Sequence, residues 1–320
     1  MMSIGNILSG GTDSSLVTAI AQKINDKPIN TFSIGYKEAK FNESVHAKKV
    51  ADYLKTNHTE FTITEKQALE ELEKIMNHMD EPFADSSALP TMLVSKMAKK
   101  NVTVCLTGDG GDELFMGYGA YKWANRLKNP LIWKSKKTIG KLLTLSLNNK
   151  YKRAGLVFNS PKNNWKSHIF SQEQCLFSES EIHKLLIKKT DSSIINDTNY
   201  NEIEDLKPSV QQSFFDLNNY LIDDLLVKVD RSSMYSSLEA RVPLLDHEII
   251  QYALQLPDEF KYKNGVSKYI LKEILYDYVP KKIMDRPKWG FSIPLEKWLK
   301  TELNYLLDKY LNKEALDETK

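Results

Sequence analysis

Strand-like and helix-like segments alternate through the first 110 residues, and this alternation constrains the fold more than any other feature of the sequence. Short apolar or β-branched stretches predict four strands, at residues 4–8, 30–35, 58–63 and 102–106. Segments with helical periodicity separate these strands. Parallel strands joined by helical crossovers form sheets that helices cover on both faces. The sequence therefore predicts an α/β fold built on a doubly wound parallel sheet.

The chain beyond residue 120 has mainly helical patterns, and we expect helices at 214–229, 247–256, 268–278 and 294–310. Residues 1–120 are expected to form the α/β core, and residues 121–320 a helical part that packs closely on it. Residues 114–172 contain 12 Lys and Arg and no Asp or Glu. This bias favours solvated helix faces, and the alternatives are a docking surface for an acidic partner protein or contact with an anionic, glycan-linked substrate.

Composition excludes several classes of protein. The chain has 320 residues and a formal net charge of +2, which predicts no nucleic-acid partner. Cys105 and Cys175 are too few for a disulfide framework and indicate a reducing compartment. Neither a run of about 18 apolar residues nor a secretory leader pattern is present. We therefore expect a cytoplasmic protein with no membrane partner.

Glycine is scarce but clustered, since seven of the 13 glycines lie in two short stretches, at residues 10–11 and 108–119. The first segment, Ser-Gly-Gly-Thr-Asp-Ser-Ser at residues 9–15, directly follows the first predicted strand and opens a helix. Adjacent glycines bring backbone N–H groups close to a ligand, and a helix N-terminus favours an anion. Asp13 would repel a bare phosphate and so indicates a divalent cation. A plain tight turn capped by Asp13 is the alternative interpretation.

The second glycine segment, Thr-Gly-Asp-Gly-Gly-Asp-Glu-Leu-Phe-Met-Gly-Tyr at residues 107–118, follows the fourth predicted strand. The carboxyl ends of parallel strands meet at one edge of a sheet, where ligands normally bind. We therefore expect a metal-and-nucleotide loop that faces the first segment. A flexible acidic surface turn is the alternative.

These residues resemble a known family. The 9–15 segment resembles the pyrophosphate-binding loop of the N-type ATP pyrophosphatases, and the 107–118 segment resembles a motif in the synthetase domain of glutamine-hydrolysing asparagine synthetases. Further blocks resemble that domain in the same order, from about residue 4 to 299. They are Asp-Glu-Pro-Phe-Ala-Asp-Ser-Ser-Ala at 80–88, the Asp-Arg-Ser-Ser-Met to Leu-Leu-Asp block at 230–246, Lys-Tyr-Ile-Leu-Lys at 268–272 and Arg-Pro-Lys-Trp-Gly-Phe at 286–291.

The resemblance implies a two-step reaction in which ATP adenylates a carboxylate, releasing pyrophosphate, and ammonia then attacks to give an amide and AMP. It implies Mg²⁺ at Asp13 and Asp112, and a lysine, Lys288, that stabilises charge on the reacting centre. Tyr118 and Glu239 match a catalytic tyrosine–glutamate pair of the related β-lactam-forming enzymes. The implied ATP and pyrophosphate contacts are Ile7, Ser9, Gly10, Gly11, Asp13, Ser14, Ser15, Ile34, Gly108 and Asp109.

Several expectations remain open at this point. Glu239 and Arg241 could instead form a buried structural ion pair, and Met116 stands where the family commonly has glycine. The chain enters the synthetase segment almost at once, so we expect no glutaminase activity, with ammonia supplied from solution or by a separate glutaminase subunit. Aspartate is the simplest carboxylate substrate. The alternatives are a sugar uronic acid, a peptide or β-lactam precursor, or an inactive regulatory subunit.

Overall fold

The computed structural model describes residues 4–36, 42–127, 129–159, 186, 203, 205–284 and 295–318. The chain divides into two units. The first unit comprises Met1–Asp109, Asp224–Asp246 and Leu271–Lys320, and the second comprises Gly110–Asp223 and His247–Ile270. This division differs from the expected single boundary at residue 120, because later stretches of the chain return to the sheet.

The first unit contains a five-stranded parallel sheet in the order β3-β2-β1-β4-β5, which confirms the predicted doubly wound α/β fold. Gly5 of the central strand lies beside Asn30 on one side and Cys105 on the other. The five strands are β1 (Ile4–Ile7), β2 (Asn30–Tyr36), β3 (Asn57–Ile63), β4 (Val104–Leu106) and β5 (Glu239–Arg241).

One helix of the first unit, Glu65–His78 (α3), begins with a specific capping motif. Thr64 caps α3 in a capping box with Gln67. These helices are α1 (Thr12–Lys23), α2 (Ser44–Leu54), α3 (Glu65–His78), α4 (Ala88–Ala98), α10 (Val227–Met234), α13 (Tyr269–Tyr276, which begins in the second unit), α14 (Lys281–Met284), α15 (Leu295–Lys300), α16 (Asn304–Tyr310) and α17 (Lys313–Glu318).

Strand β2 is buried on both faces, which explains why it reads as an almost continuous β-forming run. Phe32 and Ile34 point to one face and pack in the apolar core with Met92 of α4. The opposite face has small residues, and a Cβ added to Gly35 would lie 2.7 Å from Ser44 Oγ of α2. Helices therefore cover both faces of the sheet. The ends of the strands are the part of the sheet that the helices leave open.

Strand β5 was missed by the sequence analysis. Its three residues pair with β4, with Glu239 opposite Val104 and Arg241 opposite Leu106. A three-residue strand with charged side chains at both ends has no apolar alternation to reveal it. Charged side chains are typical of an edge strand, where they oppose pairing with other chains.

The second unit is mainly helical, with one short hairpin, β6 (Tyr262–Lys263) and β7 (Val266–Ser267). Across all the ranges described above, no helix is long and apolar enough to cross a membrane. The helices of the second unit are α5 (Gly111–Leu114), α6 (Gly119–Leu127), α7 (Pro130–Thr144), α8 (Asn149–Asn159), α9 (Pro208–Phe215), a π-helical stretch (Asp216–Leu226, which ends in the first unit) that leads into α10, α11 (His247–Gln255) and α12 (Asp258–Lys261).

Candidate active site

The first glycine segment forms a tight turn between β1 and α1. Leu8 N–H donates to the Phe32 carbonyl (2.8 Å), so the strand pairing continues up to the turn. Gly10 then adopts φ +73°, and a Cβ there would lie 2.6 Å from the backbone nitrogen of Ala47 in α2. Both the left-handed backbone and the packed helix require glycine at this position.

Serine hydroxyls hold the turn in shape. Ser9 Oγ and Ser14 Oγ are 2.9 Å apart, and the Gly11 N–H donates to Ser9 Oγ. Ser15 is fully buried, and its Oγ has no hydrogen-bond partner within the described ranges. Ser9 and Asp13 are therefore more accessible to a ligand than Ser15, which was expected to contact pyrophosphate.

The two glycine segments meet at the start of α1. A Cβ added to Gly108 would lie 2.6 Å from the Ser14 backbone nitrogen and 2.9 Å from the Asp13 carbonyl carbon. The loop after β4 therefore lies directly on the helix N-terminus, where backbone N–H groups favour an anion. This contact places Gly108 and Asp13 together at the strand-end edge, as the sequence predicted.

Three of the residues expected to contact ATP line one small recess. Ile7, Ser9 and Ile34 lie there with Glu43 and Val94, two residues that the sequence analysis did not propose. The recess has a volume of about 10 Å³, room for about one water molecule and not for a purine. These side chains can therefore form one wall of a nucleotide site, with the base outside the recess.

In the second unit, the acidic segment forms the short helix α5. Gly110 precedes it with φ +82°. Asp112 Oδ1 accepts a hydrogen bond from Lys268 Nζ at 2.7 Å, and both side chains are largely buried. Gly117 is required beside this pair, because a Cβ there would lie 1.8 Å from Asp112 Oδ1. Lys268 was not proposed as a site residue, although it begins the 268–272 block of the resemblance.

Met116 occupies the position where the resembled family commonly has glycine, and its backbone explains that preference. Its φ is +58°, in the left-handed region, which costs a non-glycine residue roughly 1–2 kcal/mol. The Met116 side chain is completely buried, and such burial contributes about 1.5–3 kcal/mol. Packing therefore offsets the backbone strain.

Glu113 lies at the centre of a buried polar cluster in the second unit. Its Oε1 accepts a hydrogen bond from the Tyr118 hydroxyl (2.5 Å), and its backbone carbonyl accepts one from Ser213 Oγ (2.6 Å). Tyr121 donates to Asp216 Oδ2 (2.7 Å) and lies 3.1 Å from the same Glu113 carbonyl. Glu113 Oε2 is buried, and no partner for it lies among the described residues.

Burial shifts the titration of this polar cluster. Desolvation, with Asp112 nearby, raises the pKa of Glu113 to about 8, although the Tyr118 hydrogen bond opposes the shift. Burial likewise raises the pKa of Asp216 to about 7. The pKa of Tyr118 is also raised, by burial and by Glu113. Tyr118 is therefore a neutral hydrogen-bond donor near neutral pH.

A known protein family matches the chain over a range that includes both strand-end loops. The family model described as asparagine synthase matches residues 2–320. The chain belongs to the asparagine synthase family. Its α/β sheet and its ordered motif blocks are those expected of a member, so the resemblance drawn from the sequence is confirmed.

Curated members of the asparagine synthase family are longer than this chain. It is 32% identical over 307 residues to the glutamine-hydrolysing asparagine synthetase 1 of Bacillus subtilis, a match that covers 94% of this chain and 48% of the relative. Identity to asparagine synthetase 3 of the same organism is 26%, covering 97% and 50%. The human glutamine-hydrolysing asparagine synthetase is 26% identical, covering 90% and 39%. The chain thus spans about half the length of these relatives or less.

The remaining residues proposed for the asparagine synthase site have different outcomes. Lys288 lies outside the described residues. Glu239 and Arg241 form an ion pair of 3.5 Å, but both side chains are more than half exposed, so the alternative of a buried ion pair is wrong. Their exposure on an edge strand follows from the alternation of side chains in β5.

The sequence analysis did not predict a larger cavity in the first unit. Most of the 80–88 motif, which is one of the blocks that carry the family resemblance, lines this cavity. The cavity measures about 540 Å³, and Asp85 is one of its lining residues. Lys228 Nζ donates to Asp85 Oδ2 at 3.1 Å. Burial alone would raise the pKa of Asp85, but Lys228 and Ser87 together hold it below its usual range. The other lining residues include Leu72, Ile75, Met79, Phe83, Asp80 and Glu81.

The carboxylates expected to bind metal are compatible with Mg²⁺. No group of three or more His, Cys, Asp or Glu that could hold a metal ion occurs in the part of the chain that the structure describes. Mg²⁺ needs no such protein cage, because it is usually bound by one or two carboxylates together with substrate phosphates and water. Asp13 and Asp112 supply hard oxygen donors of this kind in the first and second unit.

Replacing Glu113 with glutamine should flatten the pH dependence of stability. Because its pKa is about 8 in the folded chain and lower when unfolded, the native state holds the extra proton between about pH 4.5 and 8. Glu113 thus stabilises the fold at low pH, and this contribution is lost as the pH rises through 8. The slope should change by up to about 1.4 kcal/mol per pH unit in urea denaturation.

Glu259→Gln is the matched control for this pH test, because Glu259 is an exposed carboxyl of the same unit. It should leave the slope of unfolding free energy against pH unchanged. Parallel curves for wild type and Glu113→Gln between pH 5 and 8 would contradict a raised pKa at Glu113.

Proposed function

We propose that this chain is an ATP-dependent, amide-forming ligase that adenylates a carboxylate, releases pyrophosphate and transfers ammonia to the activated acyl group. The substrate that we propose is aspartate, which would give asparagine and AMP. One observation carries most of the argument: Gly108 packs against the backbone of Asp13 and Ser14 at the N-terminus of α1. This contact brings both glycine segments to one helix N-terminus, which supports an anion-binding role there, and the relatives of the chain are named as asparagine synthetases.

The chemistry explains why such an edge is needed. A carboxylate is a poor electrophile, so one of its oxygens must become part of a leaving group. Adenylation achieves this but separates pyrophosphate, whose negative charge must be stabilised as it leaves. The first turn of α1 offers backbone N–H groups and the Ser9 hydroxyl for those oxygens. Such catalysis depends on positioning and on fixed charge, with little covalent work by the protein.

Asp13 and Asp112 are the residues that would hold Mg²⁺, and the ion would neutralise phosphate charge when bound. Lys268 holds the Asp112 carboxylate in a fixed position through the 2.7 Å hydrogen bond. We assign to Lys288 the stabilisation of charge at the reacting phosphoryl and acyl groups. These assignments place cationic groups where negative charge develops.

Tyr118 and Glu239 are proposed to act on the attacking amine. The Tyr118 hydroxyl is fixed by Glu113, so its orientation is set before substrate binds. Glu239 is the first residue of β5, and its side chain is more than half exposed and therefore accessible to a substrate. Ammonia would come from solution or from a glutaminase, and the names of the relatives, which are glutamine-hydrolysing, favour the glutaminase.

Pyrophosphate release provides the test. The protein is assayed with ATP, Mg²⁺ and ammonium over a panel of aspartate, a uronic acid and a peptide carboxylate, with amide formation followed in parallel. Asp13→Asn should lower release by at least about 100-fold, because it removes the charge that would hold the metal at the phosphates. Asp26→Asn, on an exposed part of the first unit, is the control and should retain full activity.

Each outcome has a distinct meaning. Release that requires aspartate, with asparagine formed, supports the proposal in full. Release with another carboxylate retains the ligase chemistry and rejects aspartate. No release with any acid, with or without a glutaminase supplying ammonia, rejects the enzyme and favours a regulatory subunit. Full activity of Asp13→Asn rejects the proposed metal and phosphate site.

A further inference from the structure

Helices α7 and α8 form a closely packed pair in the second unit, here called the basic hairpin (residues 130–159). A Cβ added to Gly155 would lie 2.9 Å from the Gly140 carbonyl oxygen, so glycines allow the two helices to approach closely. The inner side of the hairpin joins a small apolar cluster centred on Phe158, against α6. Its outer side therefore remains available to another surface.

Leucines are exposed along the outer side of the basic hairpin. Leu131 and Leu142 of α7 are 75% and 66% exposed, and Leu145 and Leu147 in the following turn are 80% and 96% exposed. Residues 131, 142 and 145 are separated by eleven and three positions, which places them on one side of a helix. This row of leucines ends at the tip of the hairpin.

Lysines flank this row of leucines. Lys134, Lys137 and Lys141 are exposed and follow each other at helical spacing, next to Leu131 and Leu142 on the helix surface. Residues 130–159 contain seven Lys and Arg and no Asp or Glu. The outer side thus combines an apolar row with exposed positive charge.

This combination favours an anionic lipid surface over the other possible occupants. A second copy of the hairpin would bring lysines against lysines, which opposes association. An acidic protein would have to offer an apolar groove deep enough for leucines that are 66% to 96% exposed. A bilayer interface accepts projecting leucines among its acyl chains while its anionic headgroups attract the flanking lysines.

We propose that the basic hairpin docks the protein on the surface of a membrane that contains anionic lipids. The leucines enter the headgroup region, and the lysines contact lipid phosphates. Docking of this kind requires no spanning helix, and it revises the expectation that the protein has no membrane partner. It also gives a function to residues 130–159 of the acid-free segment, which the proposed ligase chemistry does not use.

Binding to vesicles tests this proposal with the full chain. Vesicles of phosphatidylcholine with 30% phosphatidylglycerol, roughly a third anionic lipid, should sediment the protein, and pure phosphatidylcholine vesicles should not. Binding should weaken as salt is raised, because exposed charges are screened over about 10 Å at 0.1 M. Equal binding to both vesicle types, or none to either, would overturn the proposal.

Variants separate the hairpin from the rest of the surface. Leu142→Ser with Leu145→Ser should lower binding at least about tenfold, because two apolar insertions are lost. Each single variant, Lys134→Gln, Lys137→Gln or Lys141→Gln, should lower vesicle binding by about fivefold. The control is Leu254→Ser with Leu311→Ser, which removes two leucines exposed elsewhere and should bind as wild type does.

Poly-L-glutamate distinguishes an acidic chain from a lipid surface. The proposal fails if the protein binds poly-L-glutamate as tightly as it binds the vesicles and if the leucine variants bind both as well as the wild type does. Charge alone would then explain the interaction. Pyrophosphate release by each variant reports correct folding, since no hairpin residue belongs to the proposed ligase site. Vesicle binding by wild type also remains informative if the proposed ligase activity is not found.

Discussion

Replacing Gly108 with alanine is expected to abolish pyrophosphate release and to lower the free energy of unfolding by about 3 kcal/mol, at the upper end of overpacking effects. The added Cβ would lie 2.6 Å from the Ser14 nitrogen and 2.9 Å from the Asp13 carbonyl carbon. Both atoms belong to the backbone of α1, so they cannot rotate away as a side chain could. The helix N-terminus must shift, and the proposed anion-binding edge shifts with it.

Gly11→Ala is the matched control for Gly108→Ala. The nearest atom to a Cβ at Gly11 is Ser9 Oγ at 3.3 Å, and a hydroxyl can rotate. Gly11 also has φ −77°, which alanine adopts without strain. This variant should change the free energy of unfolding by less than about 1 kcal/mol in urea denaturation. Wild-type stability and activity in Gly108→Ala would mean that the two glycine segments do not meet as described.

The sequence predicted the sheet well because local patterns and the chain order both specify it. Four strands were placed within two residues of their ends, since a buried parallel strand reads as a short β-forming run between helical segments. β5 could not be predicted in this way. Its position depends on pairing with β4, and its sequence, Glu-Ala-Arg, has no pattern of its own.

The candidate site was predictable where glycine and acidic residues cluster at strand ends, and much less so where contacts are distant in the chain. Asp112 was proposed, whereas its partner Lys268 was not, because a single lysine has no local signal for such a contact. The hydrogen bond between Tyr121 and Asp216, next to the Glu113 carbonyl, was also missed, because these residues are far apart in the chain. Residue types can indicate a phosphate-binding loop, but counterions and supporting hydrogen bonds depend on tertiary structure.

The pair formed by Asp112 and Lys268 should be strongly coupled in stability. Lys268→Met removes the cation from a largely buried carboxylate and should cost about 3–5 kcal/mol. Methionine keeps a similar side-chain length, and it meets the same φ of +53° that lysine already adopts, so backbone strain stays nearly equal. Urea denaturation of wild type and variant at pH 7 measures the difference.

The double variant Asp112→Asn with Lys268→Met separates structure from chemistry. A neutral pair leaves no buried charge, so the double variant should be more stable than either single variant, with a coupling free energy of at least about 1 kcal/mol. Pyrophosphate release should nevertheless stay lost, because an asparagine amide is a poor ligand for Mg²⁺ compared with a carboxylate. Restored stability with restored activity would exclude Asp112 as the metal ligand and leave it as the structural partner of Lys268 alone. Strictly additive single effects would instead show that the 2.7 Å contact does not stabilise the fold.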